Sequence, residues 1–150
     1  MKREFFVTWL KLDCIVFALT GLVSFAASSK AFSGLWLWLF DLVKWPLDGD
    51  PAGFSPETMS VNAILGGMMV GWAMLMYFVT VGPVAEGNVT LTRQMLISIA
   101  AWFGVDSTGS YLSHLPGNIV LNLIFLMLFA VPLLTLSKTT HIIEQALDSE

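Results

Sequence analysis

Residues 94–137 read QMLISIAAWFGVDSTGSYLSHLPGNIVLNLIFLMLFAVPLLTLS, and across these 44 positions Asp106 is the sole Lys, Arg, Asp or Glu. The pair Pro116 and Gly117 divides the stretch into two apolar segments. Each is close to the roughly 20 residues that a helix needs to cross the hydrocarbon core of a bilayer. A crossing segment must satisfy its own backbone hydrogen bonds, so both halves are expected to be helical. The carboxylate between them is costly in such surroundings. Asp106 must be paired, protonated or turned toward a wet cavity.

The rest of the chain agrees with a membrane protein. Its 150 residues are 56% hydrophobic and 12% charged, with a mean hydropathy of +0.76, too apolar for a soluble domain of this size. Seven basic against eleven acidic residues give a net charge of −4, with most of the acidic ones in loops and termini. No basic footprint for nucleic acid exists. The single cysteine, Cys14, allows neither an internal disulfide nor a multi-cysteine metal site, and a small core residue is expected there. Lys2 and Arg3 before an apolar run ending in Ser24, Phe25, Ala26 and Ala27 look like a cleavable signal. Lys11 and Asp13 interrupt that pattern, so the run is read as a retained anchor.

Four apolar runs, at about 5–27, 58–80, 91–113 and 118–137, predict a single all-α transmembrane domain over 1–150, a bundle of four membrane-spanning helices. Turn-forming residues separate them: Pro46, Gly49, Pro51, Gly53 and Pro56, then Gly82, Pro83 and Gly87, then Pro116 and Gly117. No internal repeat supports an inverted-repeat transporter. With both termini cytoplasmic, Lys2, Arg3, Lys11, Arg93 and Lys138 fall inside and only Lys30 and Lys44 outside, which sets the orientation. Asp41, Asp48, Asp50 and Glu57 make the outer loop acidic. Residues 31–45, AFSGLWLWLFDLVKW, are too short to cross and rich in tryptophan. They predict an interfacial helix on the outer face with Asp41 and Lys44 on one polar edge, a lid over the outer mouth or a partner contact being the competing readings. Residues 138–150 form a cytoplasmic tail, with Ile142, Ile143, Ala146 and Leu147 at amphipathic spacing.

On a helical third span Ser98, Trp102, Asp106 and Ser110 recur every four residues, and Ser107 and Thr108 widen the polar patch. Asn118 and Asn122 answer from the fourth span, and Asn62 lies at similar depth on the second. Asn62, Trp102, Asp106, Ser107, Ser110, Asn118 and Asn122 are therefore the candidate polar cluster. Two accounts stay open: interhelical hydrogen bonds that only hold the bundle together, or a small outer pocket that binds a polar ligand or exchanges protons. Near the inner side Asp13 and Arg93 lie at similar depth and are expected to form a structural ion pair. Gly67 and Gly71 form a small-xxx-small pair suited to close packing within the bundle, self-association being the alternative. Pro132 is expected to kink the last span.

The usual catalytic and metal-binding patterns are absent, and no metal or cofactor is implied. His114 and His141 fall on opposite sides of the membrane and cannot share a metal. His114 is read as an exposed loop residue. The segment Trp102 to Ser107, with Ser110, Asn118 and Asn122, and with Gly67, Gly71, Trp72, Pro132 and Leu133, resembles the BphX-like family of small bacterial membrane proteins. That resemblance implies a four-helix protein of the bacterial cytoplasmic (inner) membrane with no assigned activity and transfers no catalytic role. The favoured function is a non-enzymatic accessory or interaction subunit of a membrane assembly, with the lipid bilayer and other membrane subunits or a second copy as partners. The alternative is a binding or proton-coupled transport protein built on the Asp106 cluster. A lipid-directed enzyme using Asp106 and His114 as acid and base is a third, weaker reading.

Overall fold

A computed structural model describes residues 2–44, 49 and 53–147, with side chains over 3–44, 49 and 53–138. Five α-helices follow in order: α1 Lys2–Ala26, α2 Gly34–Lys44, α3 Pro56–Val79, α4 Val89–Leu112 and α5 Pro116–Leu147. A 3-10 turn, Lys30–Phe32, precedes α2, and a π-helical segment, Thr80–Val84, continues α3. Arg3–Ala26, Pro56–Val84 and Pro116–Lys138 are long and apolar enough to cross a membrane. α4 equals α3 in length, at 24 residues. It falls short of the other three in apolar character because Arg93, Gln94, Asp106 and several hydroxyls dilute it.

The helix starts are set by local chemistry. Ser55 caps α3 by accepting the Thr58 N–H at 3.3 Å, with Pro56 in the first turn, where its missing N–H costs nothing. Asn88 caps α4 by accepting the Leu91 N–H at 2.9 Å. The turn between α4 and α5 is a Schellman motif: Leu115 N–H reaches Ser110 O at 2.9 Å and His114 N–H reaches Tyr111 O at 3.2 Å. His114 holds the left-handed position there, with φ 56°, where glycine is the usual occupant.

α1 packs on both α3 and α5, and α5 on α4. Leu10, Cys14 and Phe17 of α1 meet Ala73 and Met76 of α3, Met95 and Ile99 of α4, and Phe129 and Leu133 of α5 in one buried cluster. An aromatic chain runs through it. Phe17 touches Trp72 edge-on at 5.3 Å and Phe125 at 5.8 Å, and Trp72 touches Trp102 at 5.9 Å between centroids. Outward faces carry Leu12, Ile64, Met68, Ile97 and Leu123, all exposed, as helices bathed in acyl chains would.

The closest helix contact is between α1 and α3, and a different glycine from the expected pair makes it. A Cβ on Gly66 would fall 2.5 Å from Gly21 O and from Phe25 N, whereas Gly67 and Gly71 face open space. The small-xxx-small pair Gly67 and Gly71 therefore does not pack within the bundle. One residue of helix is about 100° of rotation, which turns Gly66 inward and Gly67 outward.

The expected surface helix is present as α2 but is not a free surface element. Trp36, Asp41 and Val43 are buried. The Trp36 indole N–H donates to Asn62 Oδ1 on α3 at 3.2 Å, and the α2 backbone at Leu42 and Val43 presses on Gly117 of α5, where a Cβ would come within 2.6 Å of Val43 Cα. α2 thus bridges the α3 and α5 starts. Asp41 does not share an exposed edge with Lys44; its Oδ2 accepts the Gly49 N–H at 3.0 Å.

At the opposite end α3 does not stop at Gly82 and Pro83. The helix widens to a π turn over Thr80–Val84, a register that absorbs the missing proline N–H, and the chain reverses at Gly87 and Asn88. Arg3 reaches across from α1 and donates to Val84 O at 2.7 Å and Ala85 O at 3.1 Å, satisfying carbonyls that the helix end leaves open. The helix of α5 runs through Pro132, which is fully buried, and onward to Leu147. The amphipathic side chains expected in the tail, including His141, lie outside the described side chains, as do Trp45, Pro46, Asp48, Asp50 and Pro51.

Candidate functional site

The polar residues of α4 and the start of α5 meet next to the α4–α5 turn. Asn118 Nδ2 donates to Ser110 Oγ at 2.8 Å and lies 3.5 Å from Asp106 Oδ1, while Asn122 Nδ2 donates to Ser107 Oγ at 3.3 Å. Ser110 and Asn122 are buried; Asp106, Ser107 and Asn118 are half-buried. Asn118 and Asn122 occupy one face of α5 because they are four apart, and their amides reach residues of α4 that are three and four apart. The short turn makes this meeting unavoidable, since it folds two antiparallel helices onto each other within a few residues.

The carboxylate itself is weakly held. A separation of 3.5 Å is at the limit of a hydrogen bond, and the shorter of the two Asn118 contacts goes to Ser110. Other hydroxyls of α4 do not turn to Asp106: Ser98 donates to Gln94 O at 2.9 Å and Thr108 to Gly104 O at 2.7 Å. Ser98 is exposed and lines an apolar groove of about 170 Å³ between α3 and α4, together with Trp72, Val79, Leu91 and Gln94.

Two of the expected members belong elsewhere. Asn62 is buried beneath α2, where its side chain accepts from Trp36 and its backbone carbonyl accepts from Ser24 Oγ at 3.0 Å. Its depth matched Asp106, but the face of α3 that carries Asn62 and Gly66 turns toward α1 and α2. Trp102 contributes a ring to the aromatic core against Trp72. His114 is exposed in the turn, about two helical turns beyond Asp106.

The expected ion pair between Asp13 and Arg93 is not formed. Arg93 is exposed and directs its Nε to Ser137 Oγ on α5 at 3.4 Å. Asp13 is 8% exposed, and its Oδ2 has no hydrogen-bond partner. Similar depth along the membrane normal placed the two together; the rotation of α4, which points Arg93 at the outer flank of α5, separates them. Cys14 is a buried core residue beside Asp13. Thr80, fully buried at the start of the π segment, also keeps a hydroxyl without a partner.

Sequence reasoning missed Trp36 as an anchor, Thr80 as a buried hydroxyl and Arg3 as a cap. Trp36 and Arg3 lie in amphipathic or basic segments for which the membrane surface is the default reading, and their partners are distant in sequence. Among the described residues no group of three or more His, Cys, Asp or Glu could hold a metal ion. No family model, curated protein or solved structure matches the chain.

Proposed function

We propose that this chain is a non-enzymatic accessory or interaction subunit of a membrane assembly, with α4 as a fourth membrane-spanning helix that presents its outer flank to a partner. The observation that carries the reading is the half-covered carboxylate of Asp106 on the least apolar long helix. α4 packs chiefly on α5, so its far side is open, and that side exposes Gly104, Thr108 and Gly109 among apolar residues. A carboxylate left half-open to lipid with one contact at 3.5 Å is unfavourable, and a partner helix that donates to it removes the cost. Small residues beside it permit the close approach that such a contact needs.

A bacterial cytoplasmic membrane with both termini inside is the setting we favour. Arg3 and Arg93 lie at the end of the bundle where α1 begins and α5 leaves, opposite α2 with Lys30 and Lys44, which supports that orientation. The BphX-like resemblance is consistent with it. A polar-ligand or proton-coupled role for the Asp106 cluster draws less support, because Asn118 and Asn122 are already committed to Ser110 and Ser107.

The test is purification of the full chain from its native membranes in mild detergent, followed by native mass spectrometry. A partner of fixed stoichiometry, lost on Asp106→Leu while the variant stays folded, is the expected result. A lone monomer with wild-type Asp106 would overturn the proposal.

A further inference from the structure

α3 and α4 are joined through the π segment and the loop after it, but beyond that junction α3 packs on α1 and α4 on α5, and a groove opens between the two helices. Its floor is Met76, Met95 and Ile99, all buried, and its mouth lies between the exposed Leu75 and Ser98. Val79 and Leu91 line the end near the loop, and Trp72, packed on Trp102 at 5.9 Å, stands at the far end. Val79 to Trp72 on α3 and Leu91 to Ile99 on α4 each cover about 10–12 Å of helix rise. That is most of the depth of one leaflet's hydrocarbon, roughly 15 Å.

The groove holds about 170 Å³, and about 510 Å³ counted out to its open mouth. A helix about 10 Å across would need roughly 900 Å³ over the same length, so a partner helix does not fit inside. A single alkyl chain does. Water finds too few polar partners along such a lining, and an empty groove would forfeit the dispersion contacts of its floor.

The polar groups along the groove favour one orientation of that chain. Ser98 spends its hydroxyl on Gln94 O at 2.9 Å, which leaves the deeper part apolar. The Gln94 side chain lines the groove nearer the loop, within reach of the level of lipid ester carbonyls, to which its amide can donate. Arg93, exposed and next in the chain, makes one long contact among the described residues, 3.4 Å to Ser137, and its long side chain can rise to the headgroups. The first turn of α4 adds the positive end of its dipole at the same level. An anionic phosphate is the headgroup that this end accepts.

We propose that the groove between α3 and α4 holds one acyl chain of an anionic glycerophospholipid from the leaflet at the Arg93 end, with Gln94 at its ester carbonyl and Arg93 beside its phosphate. The proposal rests on α4 crossing the membrane, as in the function proposed above, and not on a partner at Asp106. The bound chain completes the packing that the protein leaves open between these two helices.

The experiment uses the full-length protein in nanodiscs of equal parts phosphatidylglycerol and phosphatidylcholine, in which one lipid or the other carries a photoreactive diazirine along an acyl chain. Labelled residues are located by peptide mass spectrometry. Ile97 is the internal control, because it is exposed at the same depth on the opposite face of α4 from Met95 and Ile99. With labelled phosphatidylglycerol, the buried Met95 and Ile99 are expected to react as strongly as Ile97, and with labelled phosphatidylcholine several-fold less. Ser98→Phe, which plugs the groove, is expected to remove the labelling of Met95 and Ile99 and to spare Ile97. Arg93→Gln, which leaves the groove open, is expected to erase the difference between the two lipids, and it serves should Ser98→Phe not fold. Labelling of Ile97 without Met95 and Ile99, or equal labelling of the groove by both lipids in wild type, overturns the proposal while leaving α4 in the membrane. No labelling of Ile97 by either lipid overturns the crossing of α4, and the bound lipid with it.

Discussion

One methyl group added at Gly66 and one added at Gly67 are expected to move stability in opposite directions. At Gly66 the new Cβ would lie 2.5 Å from both Gly21 O and Phe25 N, about 0.9 Å short of the 3.4 Å where ordinary contact begins. Both obstructing atoms are backbone, so α1 and α3 must separate by about that amount. A radial gap of about 0.5–1 Å forfeits a quarter to a half of each dispersion contact along the seam. The Ser24 to Asn62 hydrogen bond, 3.0 Å long and one turn away, would stretch out of range. Overpacking of this kind costs about 1–3 kcal/mol, and a lost interhelical hydrogen bond in a membrane about 0.6 kcal/mol, so Gly66→Ala is expected to destabilise by about 1.6–3.6 kcal/mol. Gly67→Ala meets nothing within 4 Å and exchanges a poor helix former for the best, a gain of up to about 1 kcal/mol. Unfolding of the purified protein in mixed micelles, followed by far-ultraviolet circular dichroism, measures both. Equal stability of the two variants would refute the α1–α3 seam. A Gly67→Ala variant that is destabilised only at high protein concentration would instead reveal self-association through that outer face.

Two further substitutions probe the turns. His114→Gly relieves a left-handed residue that carries a Cβ and is expected to stabilise by about 1 kcal/mol in the same unfolding assay; a loss of stability would mean that the imidazole makes a contact worth more than the strain. Arg3→Met removes charged donors from the Val84 and Ala85 carbonyls and is expected to cost about 1.5–3 kcal/mol. Faster amide exchange near Gly87 in that variant, with the α4–α5 turn unaffected, is the accompanying signature, and unchanged exchange would count against the cap.

The helical class and the positions of the long runs were legible because exclusion of charge and the placement of proline and glycine are local signals. The runs expected to begin at about 58, 91 and 118 begin as helices two residues earlier, at Pro56, Val89 and Pro116. The end of α3 was not legible: Gly82 and Pro83 read as a break, whereas a wider turn lets the helix carry the proline. Within the candidate cluster, contacts between neighbours in sequence could be read, since a tight turn folds Asn118 and Asn122 back onto α4. Contacts between distant helices could not. Asn62 and Asp106, and Asp13 and Arg93, match in depth, but each pair depends on rotation about the helix axis, and a weakly amphipathic membrane helix gives little indication of which side faces its neighbours. Asn62 instead serves Trp36, and that pairing becomes visible only once α2 is known to sit over the start of α3.

The π segment holds one residue more than an α-helical turn would. Everything after it is rotated by about 100° relative to an uninterrupted α3, and that rotation is what seats Val84 in the core and aims its carbonyl at Arg3. Deleting a single residue between 80 and 84 would therefore restore regular helical pitch and at the same time swing the guanidinium's acceptor away, so the segment works as a rotational adjuster that lets a short loop join α3 to α4 without moving either helix.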